Sequence, residues 1–490
     1  MRLSRLLAEA GLSIPGAHDA EVTGFAIDHR KVAPGTVFGA FQGASVNGED
    51  FIANAVQAGA IAVVARSEAG VLGALHIADA NPRRAFAQLA AQFFTPVPDH
   101  IVAVTGTNGK TSTVEMTRQI WRMAGERAAS IGTLGVTTPD ESVSTGLTTP
   151  DVVTFLANLS GLAREGVTHV AFEASSHGLT QYRNEGVRPQ AVAFTNLSRD
   201  HLDYHETMEA YFLAKMRLFD EVAAAGGTAV VWMGAAPDDW AKRAADHATR
   251  RGLKLVTVGE GGETLRLLSR EPTQLGQALA ILHGGAVMKL TLPLIGAYQA
   301  ANALVAAGLA LATGTPAQQV FDALGRLQPV RGRLERAAIT PSGAPVYVDY
   351  AHTPDAIEAA IAALRPHVRV RLITVLGAGG DRDHGKRAPM GRAAAEGSSL
   401  VIVTDDNPRG EDPAAIRAAV LQGAGDGARE IGDRREAIFA AIAEAGDGDI
   451  VLIAGKGHEQ GQVIGSGTEM RILPFDDVTV ARECAGRLAL

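Results

Sequence analysis

The chain has 490 residues, 46% of them hydrophobic and 20% charged, with a formal net charge of −8. That length exceeds the roughly 250–300 residues at which single cores stop growing, so more than one domain of a soluble globular protein is expected. The acidic balance argues against a protein that coats nucleic acid, no run of 18 apolar residues offers a membrane span, and the single cysteine, Cys484, favours a reducing, cytoplasmic setting.

The first residues, MRLSRLLAEAGLSIPG, carry Arg2 and Arg5 but too short an apolar core for a signal peptide. Short β-branched runs then alternate with Ala-rich helical stretches, the pattern of parallel α/β architecture. A first block, residues 1–96, has the strands GTVFGAF and AIAVVA with helical FIANAVQAG between them, and ends at FFTPVPDH. A second, 97–329, opens on IVAVTG and contains THVAFEA, QAVAFTN and TAVVWM, then the helical AYQAANALVAAGLALATG and the Pro/Gly-marked GRLQPVRGR. The third, 330–490, carries PVYVDY, RLITVLG, SLVIVTDD and DIVLIAG, each followed by a helical pattern. There is no repeat of fixed period and no low-complexity tract.

Residues 102–121, VAVTGTNGKTSTVEMTRQIW, read as strand, glycine loop and helix. Val114, Thr117, Trp121 and Ala124 share one helical face, which starts the helix at Lys110 or Thr111. Gly106 and Gly109 let backbone amides approach an anion, and the helix N-terminus adds partial positive charge. Lys110 would neutralise phosphate oxygens and the Thr111 hydroxyl can ligate magnesium. The spacing is G-x-x-G-K-T, two residues shorter than the general phosphate-loop pattern. A chance glycine turn is the competing reading, and nucleoside triphosphate binding is preferred because strand and helix lie on the correct sides. RLITVLGAGGDRD, with Asp405 and Asp406 downstream, imitates a dinucleotide fingerprint. Arg382 stands where that pattern needs its third glycine, so a Rossmann-like fold without a dinucleotide is expected.

Two further segments, AFEASSHGLTQYR (171–183) and FTNLSRDHLDYH (194–205), are apolar strands that end in acid, hydroxyl and imidazole groups. Strand ends of a parallel sheet gather at one edge, which would bring Glu173 and His201 to the phosphate loop. Magnesium prefers oxygen ligands and histidine is an unusual one, so each residue alone reads better as a hydrogen-bonded strand end. Their company with the phosphate loop reverses that preference.

TGTNGKTS, EASSHGL, TNLSRDHLDYH and YFLAKMRLF resemble the ATP-dependent Mur ligases of peptidoglycan synthesis, which share motifs with folylpolyglutamate synthetases. VRGRLE, VDYAHTPDA, GAGGDRDHGKRAPMG, DNPRGEDP and AGKGHE resemble the branch that adds diaminopimelate as the third peptide residue, and the likeness runs in order from Asp28 to Asp476. The resemblance implies an α/β fold of three domains: a UDP-binding N-terminal domain, a central P-loop-type ATPase domain with a parallel sheet, and a C-terminal Rossmann-like domain that binds the amino acid. It implies an ADP-forming ligase for cell-wall precursors that acts as a monomer on small molecules, with no nucleic acid or membrane partner. ATP would phosphorylate the D-glutamate γ-carboxylate of UDP-MurNAc-L-Ala-D-Glu, and the amine of meso-diaminopimelate would attack the acyl phosphate.

By the same resemblance, Gly106, Thr107, Asn108, Gly109, Lys110, Thr111, Ser112, Asn302, Arg333, Asp349 and His352 serve ATP. Thr111 and Glu173 serve one magnesium ion; His201 and Lys215 serve a second. Lys215 matches the family's carbamylated lysine, which replaces an ammonium that would repel the metal with a carbon dioxide-derived anion. Local sequence alone makes Lys215 a snorkelling helix lysine, and leaves Asn302 equally a helix-lining amide and Asp349 equally a strand-end cap. Thr148, Thr149, Ser175, Gln181 and Arg183 match contacts to the nucleotide sugar-peptide, as do Ile27 and His29 in the uridine segment. Arg382, Asp406, Asn407, Pro408, Arg409, Gly455 and Glu459 match the diaminopimelate site. The chain departs from the family at His29, where serine is common, at Gln299, where asparagine is usual, and at Ala378, where cysteine is frequent.

Arg409 is the residue on which the amino acid turns. It is either a solvated arginine after a proline turn or the guanidinium that grips the distal carboxylate, the group that distinguishes diaminopimelate from lysine. The same ligase using L-lysine, a folylpolyglutamate synthetase and a nucleotide-binding scaffold without ligase activity are the alternatives.

Overall fold

The computed structural model describes residues 1–12, 19–43, 46–138, 141–143, 148–236, 238–273 and 276–488. Three sheets organise it, each with helices on both faces. The first has four parallel strands in the order Gly24–Ala26, Thr36–Gly39, Ala62–Ala65, Leu75–Ala78. Its two middle strands are buried at every position, which is why they read as unbroken apolar runs rather than alternations. Val37 and Val64 face the helices Leu3–Glu9 and Pro82–Phe93, while Phe38 and Val63 face the helix Ile52–Gln57. Asn81 caps the helix Pro82–Phe93 by accepting from the Arg84 amide, and Pro82 fits its first turn.

The central sheet has eleven strands among the described residues. Seven run parallel, in the order Leu265–Thr273, Lys254–Gly259, Thr228–Trp232, Ala191–Phe194, His100–Thr105, His169–Glu173, Ala128–Gly132. The edges depart from the expected parallel sheet. Gly135–Thr137 and Ser142–Val143 add antiparallel strands on one side, and Gly276–His283 and Ala286–Leu292 extend the other. The last two pair through a two-residue loop, Gly284–Gly285, with both glycines at positive φ, the geometry a tight hairpin needs. Helices Lys110–Met123 and Ala297–Ala312 pack on one face of the sheet through Val102, Val104, Ile120, Ala303 and Ala307. Helix Val152–Arg164 and the segment around Met208–Arg217 cover the other.

The third sheet runs Glu335–Ile339, Pro345–Asp349, Ile450–Ala454, Leu372–Leu376, Leu400–Val403, Arg429–Glu430, all parallel except the first. Helices Pro354–Leu364, Arg387–Gly397 and Pro413–Ala424 lie on one face, and Arg434–Glu444 and Asp477–Leu488 on the other, where Cys484 is buried as a free thiol. After the strand Leu372–Leu376 no helix follows the glycines directly; the chain loops to residue 383 before turning into Arg387–Gly397, which removes the helix a dinucleotide would need. A separate hairpin, Gly461–Ile464 with Arg471–Pro474, stands beside the loop after Val403. Among the described residues no helix is long and apolar enough to cross a membrane.

Candidate active site

The site lies at the carboxyl ends of the parallel strands of the second and third sheets, where such sheets bind ligands. Strand His100–Thr105 delivers the phosphate loop, and the helix begins at Lys110. Gly106 and Gly109 sit at φ +148° and +85°, and a β-carbon on either would collide with Thr195 Oγ1 or Asn302 Oδ1. Residues 195–198 clamp the loop from the next strand: Asn108 N donates to Asn196 Oδ1 at 2.9 Å, Thr195 Oγ1 donates to Asn108 O at 2.6 Å, and Thr107 Oγ1 donates to Ser198 O at 3.2 Å. Lys110 turns its Nζ back onto the carbonyls of Gly106 (2.9 Å) and Thr107 (2.7 Å). Burial lowers its pKa, against the pull of Glu173 and Asp200. Thr111 and Ser112 are buried in the first helical turn.

Glu173, at the end of its strand, accepts from Thr133 N (2.7 Å) and Thr133 Oγ1 (3.1 Å). Thr133 Oγ1 lies 3.5 Å from Thr111 Oγ1 and 3.1 Å from Thr148 Oγ1, so carboxylate and hydroxyls form one oxygen-rich patch beside the phosphate loop. Thr149 Oγ1 reaches Glu173 O and Ser175 Oγ, each at 3.0 Å. Arg183 donates to Thr149 O (2.9 Å) and, in a fork, to Gln181 Oε1 (2.7 and 3.1 Å), which joins the five expected sugar-peptide residues in one continuous network.

Lys215 is not a snorkelling lysine. It is 1% exposed, and its Nζ lies 2.7 Å from Gly106 O and 4.2 Å from the centre of the Tyr211 ring. Burial, then the nearby Lys110 charge, holds its pKa well below the usual range, which favours the neutral amine. His201 stands in the left-handed region at φ +54°, with Nε2 3.5 Å from Asp200 Oδ2 and its ring edge-on to His177 at 4.9 Å. Burial of the pair's surroundings lowers the His201 pKa while Asp200 opposes it, so the imidazole is neutral and free to offer a lone pair. Among the described residues no three His, Cys, Asp or Glu side chains form a metal cage. The donor set instead consists of separate hard oxygens (Thr111, Glu173) with His201 and a Lys215 whose burial favours the neutral amine, which fits an ion completed by substrate phosphates and a carbamate.

The third sheet closes over this edge. Arg333 Nη2 donates to Thr111 Oγ1 at 3.0 Å, and its guanidinium stacks 4.5 Å over Tyr350. Asp349 accepts from Leu334 N (2.6 Å) and Tyr298 OH (3.3 Å), and burial raises its pKa to about 6. His352, half-buried, donates through Nδ1 to Tyr350 O at 2.8 Å and lies close enough to Asp200 to lower that carboxyl's pKa. Asn302 abuts Gly109 from the helix Ala297–Ala312. The unusual Gln299, one helical turn earlier, donates Nε2 to Arg333 O at 3.0 Å and so holds the chain that carries Arg333.

A second pocket wall is made by the loops after Leu376, Val403 and Ala454. Arg409 is neither solvated nor in an open turn: it is half-buried at φ +52°, and its backbone is held by the hairpin through Arg409 N to Val463 O (3.1 Å) and Gly465 N to Arg409 O (2.7 Å). Its Nη1 donates to Gly380 O at 2.8 Å. A β-carbon on Gly379 would meet Arg409 Nη1 at 2.8 Å and Arg382 Cγ at 3.9 Å, so this glycine separates the two arginines. Neither guanidinium has an ion-pair partner among the described residues. In the same loops, Asn407 Nδ2 donates to Glu459 Oε2 at 2.8 Å, and Asp406 lies beside Gly455, whose φ of +119° excludes a side chain. Pro408 is buried, with its carbonyl against Gly380.

Ile27 and His29 lie apart from these groups, beyond the end of the first sheet's strand Gly24–Ala26. His29 is half-buried, stacks on Phe51 at 4.4 Å, and is not hydrogen-bonded to the central sheet among the described residues. Sequence reasoning missed four residues of the site. Thr133 is a single polar residue with no motif of its own, and Asp200 lies beside His201 within FTNLSRDHLDYH without having been singled out. Lys456 lies inside AGKGHE, between the matched Gly455 and Glu459. Arg83, from the N-terminal body, is half-buried near Arg183, and burial together with that like charge lowers its pKa. The double arginine after Asn81-Pro82 was its only signal.

The sequence matches three domain families: the Mur ligase family catalytic domain over residues 21–94, the Mur ligase middle domain over 104–310, and the Mur ligase glutamate ligase domain over 332–457. The chain is 60% identical over 482 residues, 98% of each chain, to the UDP-N-acetylmuramoyl-L-alanyl-D-glutamate–2,6-diaminopimelate ligase of Zymomonas mobilis. It is 50% identical to the enzyme of the same name from Bradyrhizobium diazoefficiens, with 100% of both chains covered. A solved structure of a ligase of that name is 33% identical, covers both chains fully and superposes with a TM-score of 0.72. On the site's geometry and these relationships together, the chain belongs to the Mur ligase family.

Proposed function

We propose that this protein is an ATP-dependent ligase that joins meso-2,6-diaminopimelate to the D-glutamate γ-carboxylate of UDP-MurNAc-L-Ala-D-Glu, with release of ADP and phosphate. The observation that carries the choice of amino acid is the pair Arg382 and Arg409, two guanidiniums without carboxylate partners among the described residues, set on either side of Gly379, with Glu459 tied by Asn407 to the segment that carries Arg409. That arrangement complements an amino-acid terminus that bears both carboxylate and ammonium. Lysine would fill the ammonium position and leave a desolvated guanidinium unpaired, at about 3–5 kcal/mol. No feature of the pocket favours lysine.

A carboxylate is a poor electrophile, and phosphorylation gives it a leaving group. The Lys110 ammonium, displaced from the two carbonyls it now contacts, neutralises ATP phosphate oxygens, aided by the loop amides from Gly106 to Ser112 and by Arg333 from the third sheet. Asn302, Asp349 and His352 position the nucleotide. Magnesium held by Thr111 and Glu173, and by His201 with a carbamate on Lys215, would supply charge neutralisation at the transferring phosphoryl group. Thr148, Thr149, Ser175, Gln181 and Arg183 orient the sugar-peptide so that its γ-carboxylate meets the phosphate loop; Ile27 and His29 would hold the uridine. The amine of diaminopimelate, anchored at its far end by Arg409 and Arg382, attacks the acyl phosphate, and phosphate leaves. All three substrates are small molecules, and we infer that one chain suffices for turnover.

Phosphate release measured with an amino-acid panel tests this reading. Release from ATP is expected only when UDP-MurNAc-L-Ala-D-Glu and an amino acid are both present, with meso-diaminopimelate preferred about 100-fold or more over L-lysine. Turnover without the amino acid, or equal use of lysine, would count against it.

A further inference from the structure

Lys456 has 0% of its surface exposed, yet it lies inside the pocket wall rather than in an apolar core. Its Nζ is 2.8 Å from Asn407 Oδ1, 3.2 Å from Asp406 Oδ1 and 3.4 Å from Glu459 Oε2. Asn407 Oδ1 also accepts from Val463 N at 2.9 Å. Two donors on that oxygen leave the Asn407 amide one orientation, with Nδ2 toward Glu459. Asp406 is further fixed by Gln462 Nε2, which donates to its carbonyl at 2.7 Å. Arg434 lies behind Asp406 but is already matched by Asp477, both fully buried with Nη2 to Oδ2 at 2.7 Å, so that pair adds no net charge. Lys456 touches two carboxylates, Asp406 and Glu459, and the three side chains sum to −1. One carboxylate is therefore left for one incoming cation.

We propose that Lys456 sets the selectivity of the amino-acid pocket as a positioning residue: its ammonium cancels Asp406 and locks the Asn407 amide, leaving Glu459 as the single carboxylate aimed at the distal ammonium of diaminopimelate. The inference rests on the ligase reading above and assigns a role to a side chain that touches no substrate. The charged and titratable groups that face Glu459 are Asp406, Lys456, Arg434 and Tyr350. Burial and Asp406 raise the Glu459 pKa, and Lys456 works against both. Without the Lys456 charge, Glu459 holds its proton to higher pH and cannot pair with an ammonium there.

Two variants separate charge from orientation. Lys456→Gln retains a donor for Asn407 Oδ1 but no charge, and Lys456→Met retains neither. The expected result for Lys456→Met is a rise of about 10–100-fold in the KM for diaminopimelate, with the KM values for ATP and the UDP-substrate not following. For Lys456→Gln the rise is smaller at alkaline pH, and the acid limb of the diaminopimelate KM profile moves upward by about one pH unit or more. Wild-type KM and an unmoved limb in both variants would reduce Lys456 to a space-filling residue, and an equal rise for all three substrates would assign it to general stability; either result overturns the proposal. The wild-type protein in the same assay isolates the underlying reading. If it does not use diaminopimelate at all, the ligase assignment falls and this inference with it, whereas normal wild-type use with insensitive variants removes this inference alone.

Discussion

Lys215 and Arg409 are the residues at which environment most changes the chemistry of a side chain. An exposed lysine with an ordinary pKa of about 10.4 would not accept carbon dioxide at neutral pH, since the neutral amine is rare. Burial of Lys215 against Tyr211 and beside Lys110 lowers its pKa and so favours the neutral amine. Lys215→Ala is expected to lower kcat by about 100-fold or more, with partial recovery on adding formate or acetate, which can occupy the carbamate position. A fully active Lys215→Ala enzyme would remove the carbamate from the mechanism. Arg409 is held at positive φ by the hairpin, so its guanidinium is placed by backbone rather than by a flexible stem. Arg409→Ala should cost about 2–5 kcal/mol of diaminopimelate binding, 30-fold or more in KM, and leave the UDP-substrate KM unchanged. Parallel titrations of the two substrates check this. The phosphate loop, Glu173, His201 and the DNPR segment were legible because each is a run of neighbours in sequence. Arg83 was not, and Lys456 and Asp200 were passed over inside quoted motifs, because their roles depend on partners such as Asp406 and His352 that lie far off in sequence.

At the scale of the element, the strands that carry the site were visible as apolar runs, since both of their faces are covered. The strands Leu265–Thr273, Gly276–His283 and Ala286–Leu292 were missed. Their one-sided alternation of buried and exposed residues is weak in charged sequence such as LRLLSREPT, and the Gly284–Gly285 turn signal between them was passed over. The far end of the site strands carries a different feature. His100 and His169 face each other in register at the start of adjacent strands, their rings stacked at 4.3 Å with Trp121 behind them. Burial and the neighbouring His100 lower the His169 pKa to about 4, below its ordinary value of 6.5. The unfolded chain therefore binds a proton that the folded one refuses, so the associated stability is complete above about pH 6.5 and is lost as pH falls through about 4. His169→Phe should flatten that part of the profile by about 1–3 kcal/mol, measured by urea unfolding at pH 7 and pH 4.5. An unchanged slope would place the acid sensitivity elsewhere.

At the scale of the whole molecule, the site is divided among bodies that the sequence indicates separately but cannot orient. Arg333 joins the third body to the phosphate loop through Thr111, and Gln299 and Tyr298 fasten the connecting segment from the central body. Arg333→Ala is expected to raise the KM for ATP by about 10-fold or more and to enlarge the radius of gyration in solution scattering, because it removes both the Thr111 bond and the stacking on Tyr350. An unchanged radius together with an unchanged KM would show that other contacts set the closed arrangement. The same third body also carries Arg382, Arg409 and Glu459. A single rigid displacement that withdraws Arg333 from the phosphate loop therefore also carries the amino-acid anchors away from the acyl group. Under the proposed reading, nucleotide and amine would therefore be gripped by one and the same body, so a displacement of that body would alter both contacts together.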